Sequence, residues 1–117
     1  MSKYKVLVVE DDDRDFEEIR KGFDDRFEIL WGKTLQEGEV IFTDNQDICL
    51  VIVDACVPGS RPTSMPLVKK ICASGFTGAI IAVSGQEYFS KMLLKFGATH
   101  ETAKWQAPAL AIKILGL

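Results

Sequence analysis

Short apolar runs alternate with longer amphipathic stretches along the chain, and this alternation leaves few folds open to it. Between the runs, apolar residues recur at spacings of three and four, as in Phe16, Ile19 and Phe23, which form one face of a helix. Strands that alternate with helices in this way pair in parallel and carry helices on both faces of the sheet. The sequence therefore predicts an α/β fold with five βα units. The predicted strands lie at 4–9, 27–31, 49–54, 79–83 and 98–102, the last of them short and mostly polar.

Local signals predict where several helices begin and end. Thr34 and Glu37 have the spacing of a capping box, so we expect a helix over about 34–42. The third helix is expected to end at Gly75, because glycine readily adopts the left-handed conformation found at helix ends. Pro108 is expected in the first turn of the last helix, where the missing N–H is tolerated.

The composition excludes several classes of protein. The chain has 117 residues, 47% of them hydrophobic, which is enough for one folded domain over 1–117. The net charge of -3 and the lack of a basic stripe argue against nucleic-acid binding. Three cysteines without a Cys-x-x-Cys spacing argue against a disulfide framework and a zinc site. The first apolar run is too short for a signal peptide or a membrane span, so we expect a cytoplasmic protein.

Polar side chains follow the strands at the points where the strands end. In an open α/β sheet, ligands bind outside the carboxyl ends of the strands, so these side chains should meet at one edge. Three carboxylates at that edge need a cation, and Mg²⁺ is the hard divalent ion that such oxygen ligands suit. The residues at these ends are Glu10 and Asp11 after the first strand, Asp54 at the end of the third, Ser84 after the fourth and Lys104 beyond the fifth.

A lysine and a serine beside an aspartate suggest phosphoryl chemistry. Lys104, Ser84 and Mg²⁺ together would neutralise the oxygens of a phosphoryl group. Asp54 would then be the nucleophile and form an aspartyl phosphate. The neighbouring Asp12 and Asp13 need no cation, because carboxylates at the start of a helix cap it and interact favourably with its dipole.

Four segments in order carry a resemblance to a known family. They are "KVLVVEDD", "LVIVDACVPG", "IIAVSG" and "GATHETAK", with about thirty residues between Asp54 and Ser84. Along essentially its whole length the sequence resembles the CheY-like receiver domains of two-component response regulators. The resemblance implies a flavodoxin-like three-layer sandwich whose five-stranded parallel sheet has the order 2-1-3-4-5.

The resemblance also implies roles for the site residues. A histidine kinase or phosphotransfer protein would donate the phosphoryl group to Asp54, and Lys104 and Ser84 would stabilise it and switch a partner-binding face. The domain would be a switch rather than an enzyme, and its downstream partner or output domain would lie outside this chain. The implied ligands of Mg²⁺ are Glu10, Asp11, Asp54 and the backbone carbonyl of Cys56.

Two positions depart from the family pattern. Glu101 stands where the family usually has an aromatic switch residue, and a carboxylate is not expected to bury easily there. Trp105 stands where the family usually has proline after the lysine. Since a cis bond before a non-proline residue costs about 2.5–4 kcal/mol, we expect either a trans bond or a strained exception. Trp105 is a candidate for the missing aromatic readout surface.

The sequence is compatible with two other functions. A phosphorylation-independent pseudo-receiver, acting as a protein-interaction module, would explain both departures. A small α/β enzyme or cofactor binder is opposed by the first strand, since an acidic segment and no glycine-rich phosphate loop follows it. Asp54 is followed by Ala55 and Cys56, so there is no Asp-x-Asp pair of the kind found in phosphohydrolases.

Overall fold

Five parallel strands form one sheet with five helices packed against it. The computed structural model describes residues 2–59 and 61–117. The strands are β1 (Tyr4–Val9), β2 (Phe27–Gly32), β3 (Ile48–Asp54), β4 (Ala79–Val83) and β5 (His100–Thr102). The helices are α1 (Asp13–Lys21), α2 (Leu35–Asp44), α3 (Met65–Ala73), α4 (Glu87–Leu94) and α5 (Ala107–Ile114), with a 3₁₀ turn at Lys104–Gln106 before α5.

The strand order is β2-β1-β3-β4-β5, which confirms the predicted α/β fold and strand order. The register brings the carboxyl ends of the central strands together. Val9 at the end of β1 pairs with Val53, and Asp54 at the end of β3 pairs with Val83 at the end of β4. The residues that follow β1 and β4 therefore flank Asp54 on either side.

Alternate residues of the central strands enter two separate cores, one on each face of the sheet. Leu7 and Val51 face the core that contains Leu67, Val68 and Ile71 of α3. Residues one position along, such as Val6 and Leu50, face the other core, which contains residues of α1 and α5. Both faces of β1 and β3 are thus buried, which accounts for their continuous apolar runs.

The residues predicted to begin or end helices do so in the structure, although the helix boundaries shift by a few residues. Thr34 Oγ1 accepts a hydrogen bond of 3.0 Å from the backbone N–H of Glu37, so the cap forms, and α2 continues to Asp44. Gly75 has the left-handed φ of 88° predicted for a residue that ends a helix. Pro108 is the second residue of α5. Among the described residues, no helix has both the length and the apolar character needed to cross a membrane.

Candidate functional site

Three carboxylates from two neighbouring strand ends form an acidic cluster at the carboxyl edge of the sheet. Glu10 and Asp11 follow β1, and Asp54 ends β3. Each offers an oxygen, and these three oxygens lie within 4.8 Å of one another. The sequence predicted this convergence from the strand ends alone. We call these three residues the acidic cluster.

Asp54 is buried, and both of its carboxylate oxygens are held. Its residue is 4% exposed. Oδ1 accepts a hydrogen bond of 3.0 Å from the backbone N–H of Cys56, and Oδ2 accepts one of 2.9 Å from Lys104 Nζ. The loop after β3 therefore fixes one oxygen of Asp54, while the Lys104 ammonium faces the other. Such a carboxylate is oriented and is neutralised by its partner.

A fourth carboxylate, that of Asp15, joins the site through Lys104, and the sequence did not predict it. Its Nζ lies 2.6 Å from Asp15 Oδ2, 2.8 Å from Glu10 Oε1 and 2.9 Å from Asp54 Oδ2. Burial alone would lower the pKa of Lys104, but the carboxylate partners together raise that pKa above its ordinary value. The ammonium is therefore charged throughout the physiological range. For Asp15, the only sequence signal was its place in the first turn of α1, at the same edge of the sheet.

Glu10 is the most deeply buried charged residue of the cluster. Its side chain is 1% exposed, and Oε2 accepts a hydrogen bond of 3.1 Å from the backbone N–H of Asp12. Oε1 is close enough to Lys104 for an ion pair, yet it accepts no well-formed hydrogen bond from any described residue. Burial raises the pKa of Glu10 to about 8, the charge of Asp54 adds to the rise, and Lys104 opposes it.

Ser84 and Cys56 flank the cluster. Ser84 directly follows β4, whose last residue pairs with Asp54, and its Oγ accepts a hydrogen bond of 3.1 Å from the backbone N–H of Gln86. Burial, with a smaller effect from Asp54, raises the pKa of the Cys56 thiol. The metal-free protein therefore favours the neutral thiol at Cys56, while its backbone N–H already contacts Asp54.

Glu101 and Trp105 lie apart from the acidic cluster. Glu101 is half-buried, contrary to the expectation for a carboxylate, and its Oε2 lies 3.0 Å from the hydroxyl of buried Ser90. It lines a polar cleft of about 410 Å³ that also reaches Ser84. Trp105 is 73% exposed on the 3₁₀ turn. The only cis bond between described residues is Val57–Pro58, so the bond between Lys104 and Trp105 is trans.

Comparison with known proteins identifies the fold. The sequence matches no family model and no curated protein. A response regulator receiver domain protein from Clostridium thermocellum matches the structure with a TM-score of 0.78 and 26% identity, over 97% of this chain and 92% of that one. The chain has the fold of a response regulator receiver domain. This confirms the resemblance found in the sequence, and it supports a place in two-component signalling.

Two further receiver structures match over nearly the whole chain. The non-phosphorylated HemR receiver domain from Leptospira biflexa has a TM-score of 0.78 and 20% identity, covering 98% of this chain and 96% of that one. A chain of the CheX-CheY-BeF3-Mg²⁺ complex from Borrelia burgdorferi has a TM-score of 0.75 and 20% identity, covering 96% and 86%. At this level of identity these two matches support the receiver fold alone.

The acidic cluster fits Mg²⁺. Its donors are hard carboxylate oxygens, which are the protein ligands that Mg²⁺ takes. Glu10 Oε1 is buried and, apart from its ion-pair contact with Lys104, accepts no well-formed hydrogen bond from the described residues; a metal ion or a metal-bound water would supply a further partner. Once Glu10 is ionised, the three clustered carboxylates carry more negative charge than Lys104 alone neutralises.

Proposed function

We propose that residues 1–117 form one receiver domain that accepts a phosphoryl group on Asp54 and thereby switches a partner-binding face. The observation that carries this proposal is the setting of Asp54. Its carboxylate lies 2.9 Å from the Lys104 ammonium and within the acidic cluster, at the edge where this fold class binds ligands. A capping aspartate at a strand end would need neither partner.

The chemistry is a transfer between two proteins. A carboxylate oxygen of Asp54 forms a bond to phosphorus, while the bond between phosphorus and a histidine nitrogen of the donor breaks and leaves its electron pair on that nitrogen. The donor is a histidine kinase or a phosphotransfer protein. Lys104 donates to a phosphoryl oxygen and balances its charge. When bound, Mg²⁺ would neutralise further phosphoryl charge; its ligands would be Glu10, Asp11, Asp54 and the carbonyl of Cys56.

The proposed switch starts at Ser84. Its hydroxyl now accepts a hydrogen bond from Gln86, the residue that precedes α4. Donating to a phosphoryl oxygen instead would move Ser84 toward Asp54 and shift the start of α4. The cleft between α4 and β5, which Glu101 lines, would change with it. Glu101 and the exposed Trp105 would form the readout surface. A new local charge would thus bias a surface that a downstream partner or output domain contacts.

Phosphodonor treatment tests this proposal. Acetyl phosphate with Mg²⁺ should add the mass of one phosphoryl group to the protein, and beryllofluoride with Mg²⁺ should bind as its analogue. Asp54→Asn should abolish both results. Asp25→Asn is the matched control, because Asp25 is exposed and precedes β2 at the opposite edge of the sheet. Modification that persists in Asp54→Asn would contradict the assignment of the acceptor.

One observation favours a second candidate, a phosphorylation-independent pseudo-receiver that acts as an interaction module. Glu101 occupies the position of the usual aromatic switch residue, and Ser90 contacts it on the inner side. On that alternative, partner binding would be the same in the wild type and in Asp54→Asn. On the leading proposal, the domain acts in the cytoplasm as a phosphoacceptor switch rather than as an enzyme, and partner binding depends on Asp54.

A further inference from the structure

Lys104 is held from two sides, and its outer partner has no role in the function proposed above. Asp54 holds the ammonium from the inside, with a side chain that is 6% exposed. Asp15 holds it from the outside, with a side chain that is 43% exposed. The outer contact is the shorter, at 2.6 Å against 2.9 Å. These two contacts hold the flexible side chain of Lys104 beside Asp54.

The position of Asp15 is set by its own helix. Asp12 caps α1, and its Oδ1 accepts a hydrogen bond of 2.9 Å from the backbone N–H of Asp15. Asp15 is also outside the acidic cluster, whose three oxygens lie close enough together to share a metal ion. It is therefore a carboxylate on a capped helix turn that binds the lysine and is not one of the candidate metal ligands.

This separation matters when a divalent cation is bound. The cation would draw on the charges of Glu10 and Asp54, which are the two inner partners of Lys104, and it would repel the ammonium. Asp15 would keep its full attraction for Lys104. An ammonium has three N–H donors, so Lys104 can stay bonded to Asp15 while it donates to a phosphoryl oxygen.

We propose that Asp15 is a positioning residue that retains Lys104 beside Asp54 when a divalent cation occupies the acidic cluster. This inference rests on the proposed function, because holding Lys104 beside Asp54 serves the acceptance of a phosphoryl group. The contact itself joins residues 89 positions apart. It thus ties the first turn of α1 to the 3₁₀ turn before α5.

The first test measures the position of Lys104 and needs no phosphodonor. An amine-reactive reagent is applied at saturating Mg²⁺, and labelling of Lys104 is followed by mass spectrometry. Since a partly exposed ion pair is worth about 0.2–1 kcal/mol, Asp15→Asn should speed this labelling by roughly 1.5- to 5-fold. Asp13→Asn is the matched control, because Asp13 lies on the same helix and pairs with exposed Lys33 at 2.8 Å.

The second test measures beryllofluoride affinity at saturating Mg²⁺. Asp15→Asn should weaken it by roughly 1.5- to 5-fold, while Mg²⁺ affinity changes no more than in Asp13→Asn. Asp15→Glu, which keeps the charge, should restore part of the loss. Equal behaviour of Asp15→Asn and Asp13→Asn in both tests would overturn the inference. Tighter beryllofluoride binding in Asp15→Asn would also overturn it, because Asp15 would then compete with the phosphoryl group for Lys104.

The two proposals fail in different ways. If the wild type binds no beryllofluoride, or if Asp54→Asn still binds it, the proposed function is wrong. The labelling comparison still decides whether Asp15 retains Lys104, because it depends only on the protein and Mg²⁺. Faster labelling in Asp15→Asn together with unchanged beryllofluoride affinity would keep the contact but refute its role in positioning.

Discussion

Glu10 is the residue whose burial conflicts most with its charge. Its pKa of about 8 in the folded protein compares with an ordinary value of 4.5. Between these two values the folded state binds more protons than the unfolded chain. The free energy of unfolding of the metal-free protein should therefore be highest below about pH 4.5, as far as this group is concerned, and fall as the pH rises toward 8.

We predict that Glu10→Gln removes this part of the pH dependence. Gln keeps an oxygen for the backbone N–H of Asp12 but carries no buried charge beside Asp54. Because one pKa unit corresponds to about 1.4 kcal/mol, the variant should gain at least about 1 kcal/mol of unfolding free energy near pH 9 without metal. Urea denaturation with a chelator, at about pH 5 and about pH 9, measures this.

A matched variant and a second readout complete that experiment. Glu18→Gln changes an exposed glutamate of α1 and should leave the pH dependence as in the wild type. Glu10→Gln should also weaken Mg²⁺ binding, because it removes one charge of the acidic cluster. The same pH slope in Glu10→Gln and the wild type would show that Glu10 is not protonated in the metal-free fold.

At the scale of elements, α2 approaches β2 more closely than side chains would allow. A Cβ on Gly32, the last residue of β2, would lie 2.7 Å from Cα and 2.8 Å from the backbone nitrogen of Gly38 in α2. Both contacts are with backbone atoms, so the helix itself would have to move. The two glycines therefore set the distance between these elements.

Gly32→Ala should lower the free energy of unfolding by about 1–3 kcal/mol, the usual effect of inserting atoms into a packed region. Gly85→Ala is the control. A Cβ at Gly85 would meet nothing within 4 Å, and the residue has no positive φ, so the change should stay within about 0.5 kcal/mol. Chemical denaturation of both variants gives the comparison. Equal stabilities would mean that α2 moves away without loss of packing.

Tertiary contacts, such as that between Gly32 and Gly38, cannot be predicted from the local sequence pattern. The strands and helices were predicted because an apolar run or a helical stripe is a local pattern. The acidic cluster followed from one rule about strand ends applied to Glu10, Asp11 and Asp54. The contact between Asp15 and Lys104 is tertiary and leaves no local pattern. The same is true of Ser90 and Glu101, so a carboxylate expected to avoid burial is half-buried with a hydroxyl partner.

At the scale of the whole molecule, the two tryptophans lie at the two ends of the proposed signal. Trp31 Nε1 donates a hydrogen bond of 2.7 Å to the backbone carbonyl of Glu10, and its ring stacks on Phe16 with centroids 4.0 Å apart. Trp105 follows Lys104 directly and is 73% exposed. Trp31 therefore reports on the acidic cluster, and Trp105 reports on the turn that leads to the readout surface.

We predict that single-tryptophan variants separate metal binding from switching. In Trp105→Phe, Mg²⁺ alone should change the emission of Trp31, because an ion at the acidic cluster changes the field around the Glu10 carbonyl. In Trp31→Phe, Mg²⁺ alone should change little, and beryllofluoride with Mg²⁺ should shift the emission of Trp105 as Lys104 engages the phosphoryl analogue. Asp54→Asn in each background should remove the beryllofluoride response. An unchanged Trp105 spectrum with bound beryllofluoride would place the readout elsewhere on the domain.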